Sequence, residues 1–225
     1  MKILHILILI ALLISSGSAG VIEISKMEIS VNVTDKAHLK YDITFRNLID
    51  KPLVPGISEL RLQKIESTKI LFFPIPFGEQ RKALNVENLK VYSGEMNFKA
   101  YSENHGNYST IYYEIWYPIE PFGDKSVTIE FDADAVDKGI LFKSITIPIG
   151  GDIDIKNVEI LLNSDWKLCY REGDIRMVPA EHLTFLTAEF SLLPLPMLPI
   201  RGYFLFWGTL IAILGIMAIL VAKRK

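Results

Sequence analysis

The sequence predicts a mainly β protein, in which an Ig-like β-sandwich outside the cytoplasm precedes a C-terminal transmembrane α-helix. Two observations predict the sandwich: apolar and polar residues alternate over many short segments, and turn residues separate these segments. A third predicts the helix, because residues 203–222 are uncharged and would span about 30 Å as an α-helix. We expect either one extended sandwich or two closely packed ones.

The N-terminus has the pattern of a signal peptide over residues 1–20. Lys2 precedes a run from Ile3 to Ile14 that is apolar apart from His5, and the small residues 15–20 then form an acceptable cleavage site. We therefore expect a mature chain that begins near Val21. A retained signal anchor, with both termini in the cytoplasm, is the alternative.

Residues 21–134 are expected to form the β-sandwich domain, which starts with a hairpin of the alternating segments Ile22–Val33 and Leu39–Phe45. Residues 135–193 supply further strands that complete this sandwich or pack against it. The remaining predicted strands are short and have turn residues on their flanks; they are 89–92, 96–101, 109–117, 126–133, 141–147, 154–162, 167–170 and 183–192.

The C-terminal part of the chain is predicted to attach the protein to a lipid bilayer. Residues 194–202 are rich in proline and form a stiff spacer, residues 203–222 form the transmembrane helix, and residues 223–225 form a basic tail. Because positively charged flanks stay in the cytoplasm, we expect a single-pass protein of the cell membrane with its C-terminus in the cytoplasm and its β-sandwich outside.

The charge of the chain argues against a nucleic-acid-binding protein, and its cysteine content argues against a fold held by disulfides. The chain has 24 Lys and Arg against 26 Asp and Glu, whereas a nucleic-acid-binding surface needs clustered positive charge, so no nucleic-acid partner is expected. Cys169 is the only cysteine, so the fold has no intramolecular disulfide. The apolar neighbours of Cys169 favour a small buried thiol over a nucleophile.

Three alternating carboxylates are the candidate metal ligands. Glu130, Asp132 and Asp134 would project from one face of a strand, where their oxygens could hold calcium. The alternative is an ordinary solvated strand face. No other cofactor is indicated.

We find no catalytic constellation in the sequence. His38, His105 and His182 are far apart and lack the paired spacing of metal ligands, and there is no G-x-S-x-G motif. An enzyme stays an open alternative, because catalytic triads assemble from distant residues.

Aromatic residues crowd one predicted strand. Alternation places Tyr108, Tyr112 and Trp116 on one face, and Tyr113 and Tyr117 on the other. One face belongs to the core, and the other is a candidate strip for binding a partner or a glycan. A sandwich packed on both faces explains the pattern as well.

Two weaker signals complete the set of candidate sites. Asn32 and Asn107 each begin a glycosylation sequon. Gly208, Ala212 and Gly215 form a small-residue stripe along the predicted transmembrane helix, on which two helices could associate into a homodimer.

The chain as a whole resembles uncharacterised archaeal envelope proteins that are anchored in the membrane and carry a β-sandwich. The likeness is architectural and rests on the segments Ala37–Asn47 (AHLKYDITFRN), Pro121–Phe131 (PFGDKSVTIEF) and Asn157–Trp166 (NVEILLNSDW), followed by the apolar C-terminal run with its basic end. The C-terminus is also similar to archaeal sorting signals, although their Pro-Gly-Phe tripeptide is absent.

These observations together predict a membrane-anchored protein of the cell envelope whose β-sandwich has a binding or structural role. Its partner would be a membrane protein or another envelope component. One alternative is an accessory subunit of a membrane transport or secretion complex. The other is an envelope hydrolase.

Overall fold

The protein is mainly β, as predicted. The computed structural model describes residues 20–66, 69–70, 73–74, 80–139, 142–192 and 204–223. The elements in chain order are β1 (Ile22–Val33), β2 (Ala37–Asn47), β3 (Gly56–Leu62), β4 (Lys64–Glu66), β5 (Lys69–Ile70), β6 (Phe73–Pro74), β7 (Gln80–Lys82), β8 (Val86–Ser93), β9 (Met96–Asn97), β10 (Ala100–Asn104), β11 (Ser109–Ile115), β12 (Asp124–Ala133), β13 (Val136–Lys138), β14 (Phe142–Gly151), β15 (Val158–Ser164), β16 (Lys167–Glu172), β17 (His182–Ser191) and the helix α1 (Phe204–Ala222).

The largest sheet has six strands in the order β15-β1-β2-β12-β8-β9. Its centre is the predicted hairpin, in which β1 and β2 pair antiparallel and Val33 lies opposite Ala37. Strand β12 extends the sheet antiparallel to β2. On the other side β15 pairs with β1 in parallel, with Met27 opposite Val158. Strands from residues 21–134 and from residues 135–193 therefore share one sheet.

Two smaller sheets and two short ribbons complete the described β structure. One sheet has the order β10-β11-β3 and the other has the order β13-β14-β17-β16. The ribbons pair β4 with β7 and β5 with β6. Strand β3 is therefore an edge strand of its sheet.

The hydrophobic core lies between the six-stranded sheet and the two smaller sheets. Strand β2 alternates cleanly, because Leu39, Tyr41, Ile43 and Phe45 are buried while the residues between them reach the surface. The same buried cluster contains side chains from β11 and from β14 and β17, among them Ile111, Tyr113, Ile145, Ile147, Leu186 and Phe190. One continuous core thus holds the three sheets together.

The properties of helix α1 contradict the predicted placement of the protein in the membrane. A membrane span needs about 20 consecutive apolar residues. The helix begins at Phe204, one residue after the start of the predicted span, and its neighbours 201–203 and 224–225 lie outside the described residues. Across the part of the chain that the structure describes, no helix combines the length and apolarity required to cross a membrane. The prediction of a single-pass membrane protein with a cytoplasmic C-terminus is therefore wrong.

Two other predicted segments cannot be compared with the structure. The signal peptide was predicted over residues 1–20, of which residues 1–19 lie outside the described part. The spacer predicted over residues 194–202 lies outside it entirely.

Candidate functional site

A groove of about 380 Å³ opens where the three sheets meet. Its floor is formed by apolar side chains of β1 and β2, among them Ile24, Met27, Ile43 and Phe45. One wall is the segment that leads into β3 and most of β3 itself. The other wall is built from the end of β14 and the start of β17. The wall residues are Leu53, Val54, Pro55, Ile57, Ser58, Glu59, Leu60 and Arg61 on one side, and Gly150, Gly151, Asp152, Ile153, Glu181, His182 and Leu183 on the other.

Strand β3 presents its open edge to this groove. The peptide N–H of Glu114 in β11 donates to the carbonyl of Lys99, 3.1 Å away, on the β10 side. Hydrogen bonds of an antiparallel strand point alternately to its two neighbours. The odd-numbered residues of β11 therefore bond to β3, where Tyr113 lies opposite Ser58 and Ile111 opposite Leu60.

The same alternation fixes the direction of the other peptide groups of β3. Ile57, Glu59 and Arg61 direct their N–H and C=O groups away from β11. No strand among the described residues pairs with β3 on that side. The groove is thus bordered by a row of backbone donors and acceptors as well as by apolar side chains.

Glycine shapes the opposite wall. A Cβ atom at Gly150 would overlap the backbone carbonyl oxygen of His182, whereas a Cβ atom at Gly151 would meet nothing within 4 Å. The chain returns to this wall through Glu181, which has a left-handed backbone with a φ of 61°. Close approach of the two strands therefore depends on the absence of a side chain at Gly150.

Charged side chains occupy the rim of the groove. Arg61 Nη2 donates to Glu59 Oε1 at 2.7 Å. Glu59, with a smaller contribution from Asp152 on the opposite wall, raises the pKa of the Arg61 guanidinium above its ordinary value. Asp152 and Glu181 are both exposed, so the rim carries more negative than positive charge.

The groove contains a serine, Ser58, a histidine, His182, and several carboxylates. Their hydrogen bonds differ from those of a catalytic triad. His182 Nδ1 lies 2.9 Å from the carbonyl oxygen of Ala180, which can only accept, so Nδ1 carries the proton. The hydroxyl of Ser58 is hydrogen-bonded to Tyr113. Neither contact is the hydroxyl–imidazole hydrogen bond that joins a nucleophile to its base. The hydrolase alternative gains no support from this geometry.

Two of the three candidate calcium ligands, Glu130 and Asp132, contact side chains of neighbouring strands. Asp132 accepts from His38 Nδ1 at 2.8 Å and from Asn88 Nδ2 at 2.7 Å. Asn88 and then His38 lower the pKa of Asp132 below its ordinary value. Glu130 shares His38 from the other side at 3.4 Å, whereas Asp134 follows the end of β12 and accepts from a peptide N–H.

Metal binding at these carboxylates is not favoured by their geometry. Within the described ranges, no group of three or more His, Cys, Asp and Glu side chains is placed to hold a metal ion. The outer face of β12 is instead a hydrogen-bonded network between neighbouring strands. The calcium hypothesis gains no support from it.

The predicted aromatic strip lies on the outer face of the β10-β11-β3 sheet. Tyr108 and Trp116 are exposed, Tyr112 is half-buried, and Tyr113 on the opposite face belongs to the core. Tyr101 of β10 joins the strip, because it lies opposite Tyr112 with the two ring centroids 5.2 Å apart. Tyr101 was not predicted as part of the strip, since the alternation along one strand does not show that β10 pairs with β11.

The other predicted sites remain predictions. Asn32 and Asn107 are both exposed, on β1 and in the turn before β11. Gly208, Ala212 and Gly215 lie on α1, and all three are exposed. The thiol of Cys169 is partly buried and donates to the carbonyl oxygen of Lys167 at 3.3 Å.

The groove was not predicted from the sequence. Its walls come from residues 53–61, 150–153 and 181–183, which are distant in the chain. The local signals in the sequence are the Pro55-Gly56 pair at the start of β3 and the Gly150-Gly151 pair at the end of β14.

Solved structures with a similar arrangement have little sequence in common with this chain. A Legionella pneumophila protein whose suggested role is nutrient binding has a TM-score of 0.46 at 13% identity, over 77% of this chain and 68% of that one. Yeast leukotriene A4 hydrolase has a TM-score of 0.39 at 9% identity, over 78% of this chain and 31% of the hydrolase. These scores are too low to support an inference about function.

A relative in an archaeon is much more similar in sequence. No protein-family model matches the chain. The uncharacterised protein MJ1395 of Methanocaldococcus jannaschii is 47% identical over 122 residues, which are 52% of this chain and 91% of the relative. Because the match at this identity covers nearly the whole relative, the chain belongs to the protein family of MJ1395.

Proposed function

We propose that this protein is a binding protein that accepts an extended segment of a partner polypeptide along the open edge of β3. The observation that carries the proposal is the row of peptide groups at Ile57, Glu59 and Arg61, which faces the groove without a described strand to pair with. A partner strand would satisfy these groups by adding to the sheet, which is a common mode of peptide recognition.

The side chains of the groove specify what kind of segment fits. Residues of an added strand alternate between the two faces of the sheet. Those on the face shared with Ser58 and Leu60 would point toward the apolar floor, where burial of an apolar side chain contributes about 1.5–3 kcal/mol. Residues on the other face would lie beside Glu59 and Arg61. The expected partner therefore has an alternating pattern of apolar and polar residues.

Charge at the rim adds a second preference. Asp152 and Glu181 stand on one wall, while Glu59 and Arg61 on the other pair with each other. A basic residue of the partner near Asp152 and Glu181 would be attracted by this surplus of negative charge. This role retains the binding function predicted from the sequence. It also accommodates an accessory subunit, whose partner segment would belong to a larger assembly.

Selection of binders from a library of linear twelve-residue peptides displayed on phage, with the full-length chain as bait, provides the probe for this site. Synthetic copies of the selected peptides are then titrated by isothermal titration calorimetry against the wild type and Glu59→Pro. Proline at this position removes an N–H that faces the groove, and an edge strand tolerates such a change. We expect Glu59→Pro to keep its thermal stability and to lose at least about tenfold in affinity.

A matched control and a chemical variant of the peptide sharpen the test. Ser58→Pro removes an N–H that bonds to β11, so it should destabilise the fold itself. Methylation of single peptide nitrogens in a selected peptide should weaken binding at every second position only, because alternate N–H groups face β3. Equal binding by Glu59→Pro, or a loss that does not alternate along the peptide, would reject strand addition at this edge.

A further inference from the structure

We infer that the outer face of the β10-β11-β3 sheet is a carbohydrate-binding platform, formed by the exposed rings of Tyr101, Tyr108 and Trp116 and the half-buried ring of Tyr112. This site goes beyond the peptide groove. It uses the side chains on the outer face of the sheet rather than the peptide groups of the β3 edge. Its ligand class is a neutral oligosaccharide.

The rings form a row along one strand. Tyr108 directly precedes β11 and Trp116 directly follows it, and a strand of seven residues extends about 23 Å. Tyr101 and Tyr112 meet near the middle, with their planes inclined by 28°. Tyr108 is supported by the ring of His105, with the two centroids 4.8 Å apart. The platform is therefore long enough for several sugar units in succession.

Polar side chains hold the rings and surround them. Trp116 Nε1 donates to Glu114 Oε2 at 2.9 Å, and Lys99 Nζ lies 3.3 Å from the other oxygen of the same carboxylate. On the β3 side Tyr112 lies opposite Glu59, which also accepts from Arg61. Carboxylate and guanidinium groups beside an aromatic ring can accept from and donate to sugar hydroxyls.

The combination of aromatic rings and charged side chains on this face suits a sugar ligand better than a protein partner. The polarised C–H groups on the face of a pyranose ring meet the negative face of an aromatic ring, and its equatorial hydroxyls require hydrogen bonds around the edge. The centre of a protein–protein interface is depleted of charged residues. Here Glu114 lies between Tyr112 and Trp116 along the strand, and Glu59 lies beside Tyr112 on β3. Trp116 is 60% exposed and offers the largest free ring of the four.

The test is isothermal titration calorimetry of the full-length chain with three soluble probes: cellohexaose, mannohexaose and chitohexaose. We expect at least one probe to bind, and Trp116→Ala and Tyr112→Ala each to lose at least about tenfold in affinity. Tyr112→Phe keeps the ring and should retain most of the binding. Tyr117→Ala is the matched control, because Tyr117 is also exposed but packs on Phe98 away from the platform.

Each result has a clear meaning once thermal unfolding has shown that the variants are folded. Selective loss in the two alanine variants supports the platform. Failure of all three probes to bind at millimolar concentration would overturn it, as would equal loss in Tyr117→Ala. If Trp116→Ala instead abolished binding of the selected peptides, this face would be a protein-binding surface and the carbohydrate assignment would be wrong.

Discussion

The ring of Tyr41 lies parallel to that of Phe131 across β2 and β12, with the centroids 6.0 Å apart and the planes inclined by 8°. Both side chains are fully buried at the centre of the six-stranded sheet. The Tyr41 hydroxyl is buried without a hydrogen-bond partner among the described residues, and burial raises the pKa of the phenol. A polar group is therefore kept in the core without compensation.

Tyr41→Phe should stabilise the protein by about 1–3 kcal/mol, because it removes an unsatisfied buried hydroxyl and keeps the stacked ring. Tyr113→Phe is the control, since the buried Tyr113 is hydrogen-bonded to Ser58 and should lose about 0.5–1.5 kcal/mol. Urea unfolding measures both changes. Equal destabilisation by the two substitutions would show that the Tyr41 hydroxyl has a partner in solution.

Gly150→Ala should lower the melting temperature and distort the wall of the groove. Its new methyl group would overlap the carbonyl oxygen of His182, so β14 and β17 must separate at that point. Gly151→Ala adds the same group one residue later, where nothing lies within 4 Å, and should be tolerated. Differential scanning calorimetry compares the two variants, and similar melting temperatures would contradict the close contact at Gly150.

Glu66 should make the stability depend on pH in the acidic range. Hydrogen bonds from Lys64 and then Lys82 lower its pKa to about 2. A carboxyl group whose pKa is lowered by folding stabilises the protein above its unfolded pKa, and this contribution is lost as the pH falls toward the folded pKa.

We therefore expect Glu66→Gln to be less stable than the wild type at pH 7, by up to about 1 kcal/mol for a partly exposed ion pair. The difference should shrink as the pH falls from about 4.5 to about 2. Chemical denaturation at a series of pH values measures it. A difference that stays constant over this range would mean that the ion pairs contribute no stability.

Amide hydrogen exchange should alternate along β3 in the free protein. The N–H groups of Ser58 and Leu60 bond to β11 and should exchange slowly, whereas those of Ile57, Glu59 and Arg61 face the groove and should exchange fast. Exchange followed by NMR resolves the individual residues. Uniform protection along β3 would indicate that another segment already covers the edge.

Local patterns predicted the strands well but not the partners of each strand. The alternation in Ile22–Val33 and Leu39–Phe45 predicted a hairpin, and β1 and β2 pair in that way. The parallel pairing of β1 with β15 was not predicted, because nothing in either segment specifies a partner far away in the chain.

The candidate sites show the same limit. Alternation correctly placed Glu130 and Asp132 on one face of β12. It could not show that His38 and Asn88, from two other strands, already occupy their oxygens. The groove could not be predicted for the same reason. Its walls come from segments that are distant in the chain, and they form a groove only after the sheets have packed together.

The position of β1 between β2 and β15 also constrains how the chain can fold during synthesis. Ser164 at the end of β15 donates to the carbonyl of Val33, and the two residues are 131 positions apart. Until the ribosome has released β15, one side of β1 is an unpaired edge that can join another nascent chain. Pairings over such separations also slow folding. Pairing of β15, from the last third of the polypeptide, with β1 is therefore a late step of folding, and it protects the first strand from aggregation.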